Sequence, residues 1–529
     1  MRALRGIASR AARRDDPDRA AFLRSLGAAG IAATAIPQFA ACGSSAARGR
    51  ERIAIVGAGI AGLVTAMRLR DAGIDATIYE SSDRIGGRMH SERSYWSDAQ
   101  HTEWCGAMVD SLHVNLHDLA ARFKLPLVDT YAQRPPGARD TLFLDGRYYP
   151  MSQADADFQA VYPIMLHQQS GLRNTVTYRN ATQEARRLDA TSMRDWIVRY
   201  VPGGLDSQLG RLIKEAYRNE YGRECEELSA VNLVQQLGAQ RHYARKGRLN
   251  VLGYSDQRYI FGRGSQSLPE AIAAWLPSGS IVTNHRMLAL RLAANGIYEL
   301  TFDVDGKTEN VRAERVVLAL PFIVLRGLDY ASAGFDAAKR NAIENLGYGY
   351  HTKLHLQFDR RAWMRAKHPW PEPTTGQIYT TLPAQTALDF SLGQAGGDGL
   401  IEVFTGAAES MGDTPALPYS TIEQSPAIRR HVRTFFEQLD QIWPGVSPAW
   451  NGKATFGNAQ ADPNTLASYS CWLVGQCTTI AGHEARRQGR VHFAGEHTSL
   501  ENQGFMEGGA DSGMRAADEI LSDYRIEPR

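Results

Sequence analysis

The sequence is poor in the residues from which metal sites are built. Its 529 residues include five cysteines, none in a C-x-x-C pair and none with a partner cysteine or histidine at the spacing of a zinc site. His351 and His355 lie in an alternating, strand-like run, which is more typical of core or surface histidines than of metal ligands. We therefore predict no metal site.

The sequence also has no large excess of positive or negative charge, no internal repeat and no low-complexity tract. The formal net charge is +2, so the composition gives no indication of a nucleic-acid partner. The chain is 43% hydrophobic and 22% charged, as expected of an ordinary soluble globular protein. Its length allows two or three structural units.

The first fifty residues differ in character from the rest. An apolar, alanine-rich run from residue 26 to 41 is too short for a membrane-spanning helix but is typical of an export signal. Residues 19–24 resemble the twin-arginine export motif, with alanine in place of the second arginine. Residues 39–45 resemble a bacterial lipoprotein cleavage box, with phenylalanine in place of leucine. We expect residues 1–42 to direct the chain to the periplasm, with Cys42 as the candidate lipid attachment point; the alternative is a disordered cytoplasmic extension.

A strand, a glycine-rich turn, a helix and a second strand follow. Residues 52–56 are a short apolar run typical of a buried strand, and the turn Gly57-Ala58-Gly59-Ile60-Ala61-Gly62 leads into an amphipathic run over residues 63–72. Residues 75–79 predict the second strand, which ends at Glu80, 23 residues after Gly57. This β-α-β arrangement predicts a dinucleotide-binding domain.

Each residue of this fingerprint has a physical role. Gly57 would form the turn, Gly59 would let a pyrophosphate approach the backbone, and Gly62 would let the helix pack against the strand. Glu80 would accept a hydrogen bond from a ribose hydroxyl. An acid at this position disfavours a 2′-phosphate, and therefore NADP.

Two further segments suit a phosphate-rich ligand. Gly86 and Gly87 allow close backbone approach, and the adjacent Arg88 could pair with phosphate oxygens. Near the C-terminus, an apolar strand stops at Gly495-Glu496, and a helix rich in small residues begins around Gly504-Phe505-Met506. A helix N-terminus presents unpaired N–H groups and a positive dipole end, which suits a phosphate or an electron-rich acceptor atom.

Between these segments the sequence predicts mixed structure. Residues 156–172, 193–200 and 206–219 are helix candidates. Asn295-Gly296 and Asp305-Gly306 predict two hairpin turns.

From residue 51 to residue 523, the motifs at both ends of the chain resemble those of the flavin-containing amine oxidase superfamily, which includes monoamine, polyamine and L-amino-acid oxidases. The resemblance implies an α/β fold, with a Rossmann-like FAD-binding domain of the glutathione-reductase-like type and an inserted α+β substrate-binding domain. It assigns residues 51–128, 252–328 and 455–526 to the FAD-binding domain. Residues 129–251 and 329–454 would form the substrate-binding domain.

The resemblance also implies which residues contact FAD. Besides the fingerprint residues, with Ile60 and Ala61, it points to Gly87, Arg88, Gly106, Ala107, Met287, Gly495, Glu496, Gly504, Phe505 and Met506. Ser468 stands where monoamine oxidases carry the cysteine that bonds the flavin, so FAD is expected to be held non-covalently.

Three residues match the catalytic positions of the family. Lys353 falls on the strand that carries a lysine beside flavin N5, and the alternation places it on one face with His351 and His355. Tyr469 and Phe505 match the two aromatic residues that confine the amine. The alternatives are an exposed strand lysine and two aromatic residues that only pack the core.

The reaction implied is oxidation of a primary or secondary amine to an imine that hydrolyses to a carbonyl, with O2 or another electron acceptor reoxidising the flavin; O2 would give H2O2. One rival is an L-amino-acid oxidase, in which an arginine usually stands where this chain has Val109. Arg223 or Arg258 could substitute for that arginine. A second rival is a flavin-binding protein without turnover, against which Lys353 and the two aromatic residues argue.

Overall fold

The computed structural model describes residues 51–173, 175–240, 247–365, 372–412 and 414–525. The predicted export signal and Cys42 lie outside these residues, so the assignment to the periplasm stays a prediction. Across the ranges described, no helix has both the length and the apolar character needed to cross a membrane.

The secondary structure combines many short strands with helices of moderate length. The strands are β1 (Ile53–Val56), β2 (Thr77–Tyr79), β3 (Ser91–Glu92), β4 (Thr102–Glu103), β5 (Leu127–Asp129), β6 (Arg139–Leu144), β7 (Arg147–Tyr148), β8 (Tyr259–Phe261), β9 (Ile281–Val282), β10 (Arg286–Leu292), β11 (Tyr298–Val304), β12 (Lys307–Ala313), β13 (Arg315–Leu318), β14 (Gly347–Tyr348), β15 (His351–Phe358), β16 (Thr374–Thr380), β17 (Thr386–Asp389), β18 (Gly399–Gly406), β19 (Tyr419–Thr421), β20 (Trp450–Asn458), β21 (Ser470–Cys471) and β22 (Val491–Phe493). The α-helices are α1 (Ile60–Asp71), α2 (Val114–Arg122), α3 (Met151–Asp157), α4 (Tyr162–Gly171), α5 (Gln183–Asp189), α6 (Met193–Tyr200), α7 (Gln208–Tyr221), α8 (Ala230–Gln236), α9 (Ser267–Trp275), α10 (Phe322–Leu325), α11 (Ala337–Asn345), α12 (Ile428–Ile442) and α13 (Met506–Asp523).

A parallel sheet with the order β22-β13-β1-β2-β9 forms the first layer. Helices α1 and α13 share one hydrophobic core with this sheet. The two helices approach closely because α13 carries glycines. A Cβ at Gly513 would lie 2.5 Å from the Ala61 carbonyl oxygen, and one at Gly509 would lie 2.6 Å from Ile60 Cγ2. These glycines therefore admit a neighbouring helix.

A three-stranded antiparallel sheet, β10-β11-β12, contains both predicted hairpins. The turns have the positive φ angles that such hairpins require, +79° at Gly296, +50° at Asp305 and +78° at Gly306. Both hairpin predictions are confirmed.

A larger mixed sheet has the order β19-β20-β15-β18-β17-β16-β6-β7, in which only the β16–β6 pair is parallel among the described strands. Strand β15 lies inside this sheet and all eight of its residues are buried. The sheet joins β6 and β7 from residues 129–251 to strands from residues 329–454, as expected for one domain built from two segments. Strand β20 runs across the predicted boundary at residue 454, and the boundaries themselves stay a prediction. The α/β fold class is confirmed.

The helix predictions for the middle of the chain had mixed outcomes. Helix α6 has the predicted bounds. Helix α7 begins two residues later than predicted because the Ser207 hydroxyl caps it, accepting from the Gly210 N–H at 3.1 Å. A single helix over residues 156–172 was wrong, since α3 ends in a 3₁₀ turn before α4 begins. Pro163 lies in the first turn of α4, where its missing N–H is tolerated, whereas one continuous helix would lose a hydrogen bond there.

Candidate functional site

A cavity of about 490 Å³ lies between the parallel sheet and the mixed sheet. On one side it is lined by residues at the carboxyl ends of β1, β2, β13 and β22, and on the other by residues of β15 to β18. Ligands of open α/β sheets bind at this end of the strands. All sixteen predicted cofactor residues except Gly62 line the cavity, namely Gly57, Gly59, Ile60, Ala61, Glu80, Gly87, Arg88, Gly106, Ala107, Met287, Gly495, Glu496, Gly504, Phe505 and Met506.

The three glycines of the turn after β1 have different surroundings, in line with the different roles that the sequence predicts for them. Gly57 has a φ of +105°, and a Cβ there would lie 2.7 Å from the Ala319 carbonyl oxygen. Gly59 caps α1 and lines the cavity, and a Cβ there would meet no atom within 4 Å. Gly62 is a packing residue, because a Cβ there would lie 2.0 Å from the Gly57 carbonyl oxygen. The open space beside Gly59 is what a bound pyrophosphate needs.

Glu80, which follows β2, accepts hydrogen bonds from both the glycine turn and the loop after β2. One carboxylate oxygen accepts the Ala58 N–H at 2.7 Å, and the other accepts the Ser82 N–H at 2.9 Å and the Ser82 hydroxyl at 2.8 Å. The carboxylate lines the cavity while holding both flanking loops. It is therefore fixed in place before any ribose hydroxyl reaches it.

Arg88 and Glu496 join the other cofactor segments. Arg88 Nη1 donates to Glu496 Oε1 at 2.9 Å and to the Ser468 carbonyl at 2.7 Å. Glu496 also accepts the Ser470 hydroxyl at 2.7 Å and the Gly504 N–H at 2.8 Å. Burial opposes its charge, but Arg88 and these donors outweigh burial and lower the pKa of the Glu496 carboxyl. With Nη1 occupied, the other guanidinium nitrogens of Arg88 could pair with phosphate.

These observations fit an elongated dinucleotide. Helices α1 and α13 both begin at the cavity, and their N-termini favour anionic groups. The space beside Gly59 would take the pyrophosphate, and Glu80 lies where a ribose would be held.

On the opposite wall, Lys353 belongs to a row of polar side chains. Its Nζ donates to Glu402 Oε2 at 3.1 Å, and His355 Nε2 lies 3.0 Å from the same oxygen. Lys353 is 7% exposed and lines the cavity, so it is not an exposed strand lysine. As the alternation predicts, His351 and His355 lie on the same face of β15, and both are buried. The described residues contain no cluster of metal-ligating side chains.

Glu402 was not predicted from the sequence. It lies on β18, directly opposite His355 in the antiparallel register with β15. No motif marks it. Only the pairing of these two strands could have found it.

The predicted aromatic residues both line the cavity but contact different rings. Tyr469 stacks on His351 with centroids 4.7 Å apart, and His351 stacks on Phe404 at 4.5 Å and 4°. Phe505 lies 5.2 Å from the His113 ring. Burial lowers the pKa of His351 to about 3, so this ring is neutral and acts as an aromatic surface. Phe404 and His351 thus join Tyr469 in a stack that the sequence did not predict.

Ser468 lies beside this stack, at the position of the flavin-bonding cysteine in monoamine oxidases. Its hydroxyl lies 2.8 Å from the Gly349 carbonyl oxygen and 2.5 Å from His351 Nδ1. It helps to position the histidine. Non-covalent binding of the cofactor stays a prediction.

Two carboxyl groups line the part of the cavity away from the glycine turns. Burial, aided by Asp256, raises the pKa of Asp110 to about 7. Burial also raises the pKa of Glu220, and Gln236 donates to its carboxylate at 3.0 Å. Within the ranges described, no lysine or arginine pairs with Glu220 or Asp110. This part of the cavity wall therefore offers a buried anion no described lysine or arginine, and a cation placed there would favour ionisation of the two acids.

The two arginines that could replace a carboxylate clamp do not line the cavity. Arg223 donates to the Tyr348 carbonyl at 2.7 Å and pairs with Glu227 at 3.0 Å. Arg258 pairs with Asp129. Among the described lining residues, arginines occur only at positions 84, 88 and 286, in the predicted cofactor segments.

Comparison with known proteins identifies a family. A family model described as flavin containing amine oxidoreductase matches residues 60–521. The chain is 24% identical to polyamine oxidase 4 of Oryza sativa subsp. japonica, over 88% of each chain. It is 23% identical to L-amino-acid oxidase 4 of Hebeloma cylindrosporum, over 88% of this chain and 81% of that protein. The structure of cyclohexylamine oxidase from Brevibacterium oxydans IH-35A superposes with a TM-score of 0.74 at 16% identity, over 90% of this chain and all of that one.

Proposed function

Because the chain belongs to the flavin-containing amine oxidoreductase family, whose cofactor is FAD, we propose that it oxidises a primary or secondary amine rather than an α-amino acid. The substrate would lose two electrons and two protons to give an imine, which water hydrolyses to a carbonyl. The electrons would pass finally to O2, giving H2O2. FAD supplies the two-electron acceptor when it is bound.

The observation that carries this proposal is that one part of the cavity wall has acids but no described lysine or arginine that could pair with a substrate carboxylate. Asp110 and Glu220 line it without such a partner, while Arg223 and Arg258 are paired elsewhere. A substrate carboxylate would be buried beside these acids. Leaving one buried charge without a partner costs about 3–5 kcal/mol. An amine without that carboxylate avoids this cost.

The chain's own residues orient such an amine. The stacked rings of Tyr469 and His351, with Phe505, offer aromatic surfaces that limit where the nitrogen can lie. Tyr469 is held by its hydroxyl, which donates to the Glu220 carbonyl oxygen. The amine must react as the neutral base, so the rings have to hold it after it loses its proton.

Amines should therefore be better substrates than their α-carboxylated analogues. We expect phenethylamine to exceed phenylalanine, and cadaverine to exceed lysine, by about a hundredfold or more in kcat/KM, as about 3 kcal/mol predicts. Steady-state assays of both pairs measure this ratio with the side chain held constant. Higher kcat/KM for the amino acid in both pairs would instead favour the hypothesis of an L-amino-acid oxidase. Some relatives of the chain carry that name.

A further inference from the structure

We propose that Glu402 is a positioning residue for Lys353, and that its carboxylate fixes and neutralises the ammonium at the cavity wall. The inference rests on the proposed function, in which Lys353 acts on the reaction. It adds a residue that no motif identifies.

The geometry ties Lys353 to Glu402 through the sheet. Strands β15 and β18 pair along their whole length, with Lys353 opposite Phe404 and His355 opposite Glu402. Glu402 therefore lies diagonally across from Lys353, within reach of a long side chain. The Lys353 and Glu402 side chains are 9% and 4% exposed, so little water screens their 3.1 Å contact.

His355, the third member of the row, holds the Glu402 carboxylate in place without adding a charge. Burial lowers the pKa of His355, despite the opposing effect of Glu402, so the ring is neutral. Its Nε2–H donates to Glu402 Oε2, and its Nδ1 lies 3.1 Å from the Thr455 hydroxyl. One negative charge thus faces one positive charge. Lys353 and His355 lower the pKa of the Glu402 carboxyl against the effect of burial.

No other described carboxylate contacts the Lys353 ammonium. Glu103, from β4, has a pKa raised to about 7 by burial, and its Oε2 accepts from the Ser91 and Ser265 hydroxyls at 2.7 Å each. Burial also raises the pKa of the Cys105 thiol. His351, the remaining titratable neighbour on β15, is neutral. Among the residues described, Glu402 is therefore the counter-charge on which Lys353 depends.

Removing this counter-charge has two consequences. The Lys353 side chain has four rotatable methylenes, so without Glu402 its ammonium is free to leave the position that the row imposes. A buried cation without a partner is also costly. The function of Lys353 and the stability of the protein should then change together.

A double-mutant cycle tests the coupling. We expect Glu402→Gln to slow the half-reaction that Lys353→Met slows, by about tenfold or more, and Glu402→Asp to recover part of the rate. In the Lys353→Met background, Glu402→Gln should slow that step by less than about twofold, since the residue through which it acts is gone. Glu423→Gln, at an exposed carboxyl that accepts a hydrogen bond from the Tyr95 hydroxyl, is the control.

Thermal unfolding of the same holoenzymes gives a readout that needs no turnover. Relative to wild type, Glu402→Gln should lower Tm, because it leaves the buried Lys353 ammonium without its counter-charge. In the Lys353→Met background, Glu402→Gln should not lower Tm, because no cation remains to be left unpaired. Glu423→Gln should follow wild type throughout.

Each outcome decides the proposal. The proposal would be overturned if Glu402→Gln slowed the half-reaction equally in both backgrounds. It would also be overturned if Glu402→Gln alone or Lys353→Met alone left that rate unchanged. If neither amines nor amino acids reduce the wild-type flavin, the proposed function fails separately. The thermal cycle then decides alone: a loss of Tm in Glu402→Gln that Lys353→Met abolishes supports the pair, and an additive loss overturns it.

Discussion

Gly59→Val is expected to give a folded protein that retains almost no FAD. A Cβ at Gly59 would meet no atom within 4 Å, so we expect the fold to accept a valine there. The same side chain occupies the part of the cavity that the first turn of α1 offers to the pyrophosphate. We expect affinity for FAD to fall by more than about a hundredfold, or ~3 kcal/mol.

Two other glycines separate this effect from misfolding. Gly397 also has open space around its Cβ but lies outside the cavity, so Gly397→Val should keep its FAD. Gly62→Val should destabilise the fold itself, because its Cβ would lie 2.0 Å from a carbonyl oxygen. The ratio of flavin to protein absorbance in purified variants, with melting curves, distinguishes the three. A normal ratio in Gly59→Val would disprove the assignment of this turn to the cofactor.

Lys353→Met is expected to slow one half-reaction by about a hundredfold or more while leaving substrate dissociation constants nearly unchanged. A positioned cation stabilises charge that develops only as electrons are transferred, so it contributes to rate rather than to binding. Methionine keeps the length and the apolar stem and removes the charge. The buried Glu402 carboxylate is then left without its cation, which adds a cost to stability.

Stopped-flow measurement of both half-reactions tests this prediction. Lys353→Met/Glu402→Gln serves as the control, because it removes both charges and restores a neutral row. If both rates match wild type while affinity falls, Lys353 is a substrate contact and the assignment of β15 is wrong.

The sequence predicted the parts of the site that local chemistry determines. The turn from Gly57 to Gly62, the acid at Glu80 and the hairpins at Gly296 and Gly306 each require particular backbone geometry over a few residues. Such requirements are visible in the order of the residues. The turns therefore have the predicted backbone positions, whereas the cofactor contacts of Gly59 and Glu80 stay predictions.

The parts it missed depend on contacts between distant segments. Glu402 reaches Lys353 only because β18 pairs with β15, and Glu220 reaches the cavity only because α7 ends beside Tyr469. The prediction of one helix over residues 156–172 failed for a different reason. The hydrophobic periodicity continues through Pro163, whereas one continuous helix would lose a backbone hydrogen bond there. The acids on this part of the cavity wall could be identified only once these segments were together.

The proposed function requires that an amine reduce the bound FAD. Anaerobic titration of the purified holoenzyme with paired amines and α-amino acids, followed by the visible absorbance of oxidised flavin, tests it most directly. The cavity wall formed by Asp110 and Glu220 predicts rapid loss of that absorbance with amines and slow or no loss with their α-carboxylated partners. Loss with amino acids alone, or with neither class, would contradict it.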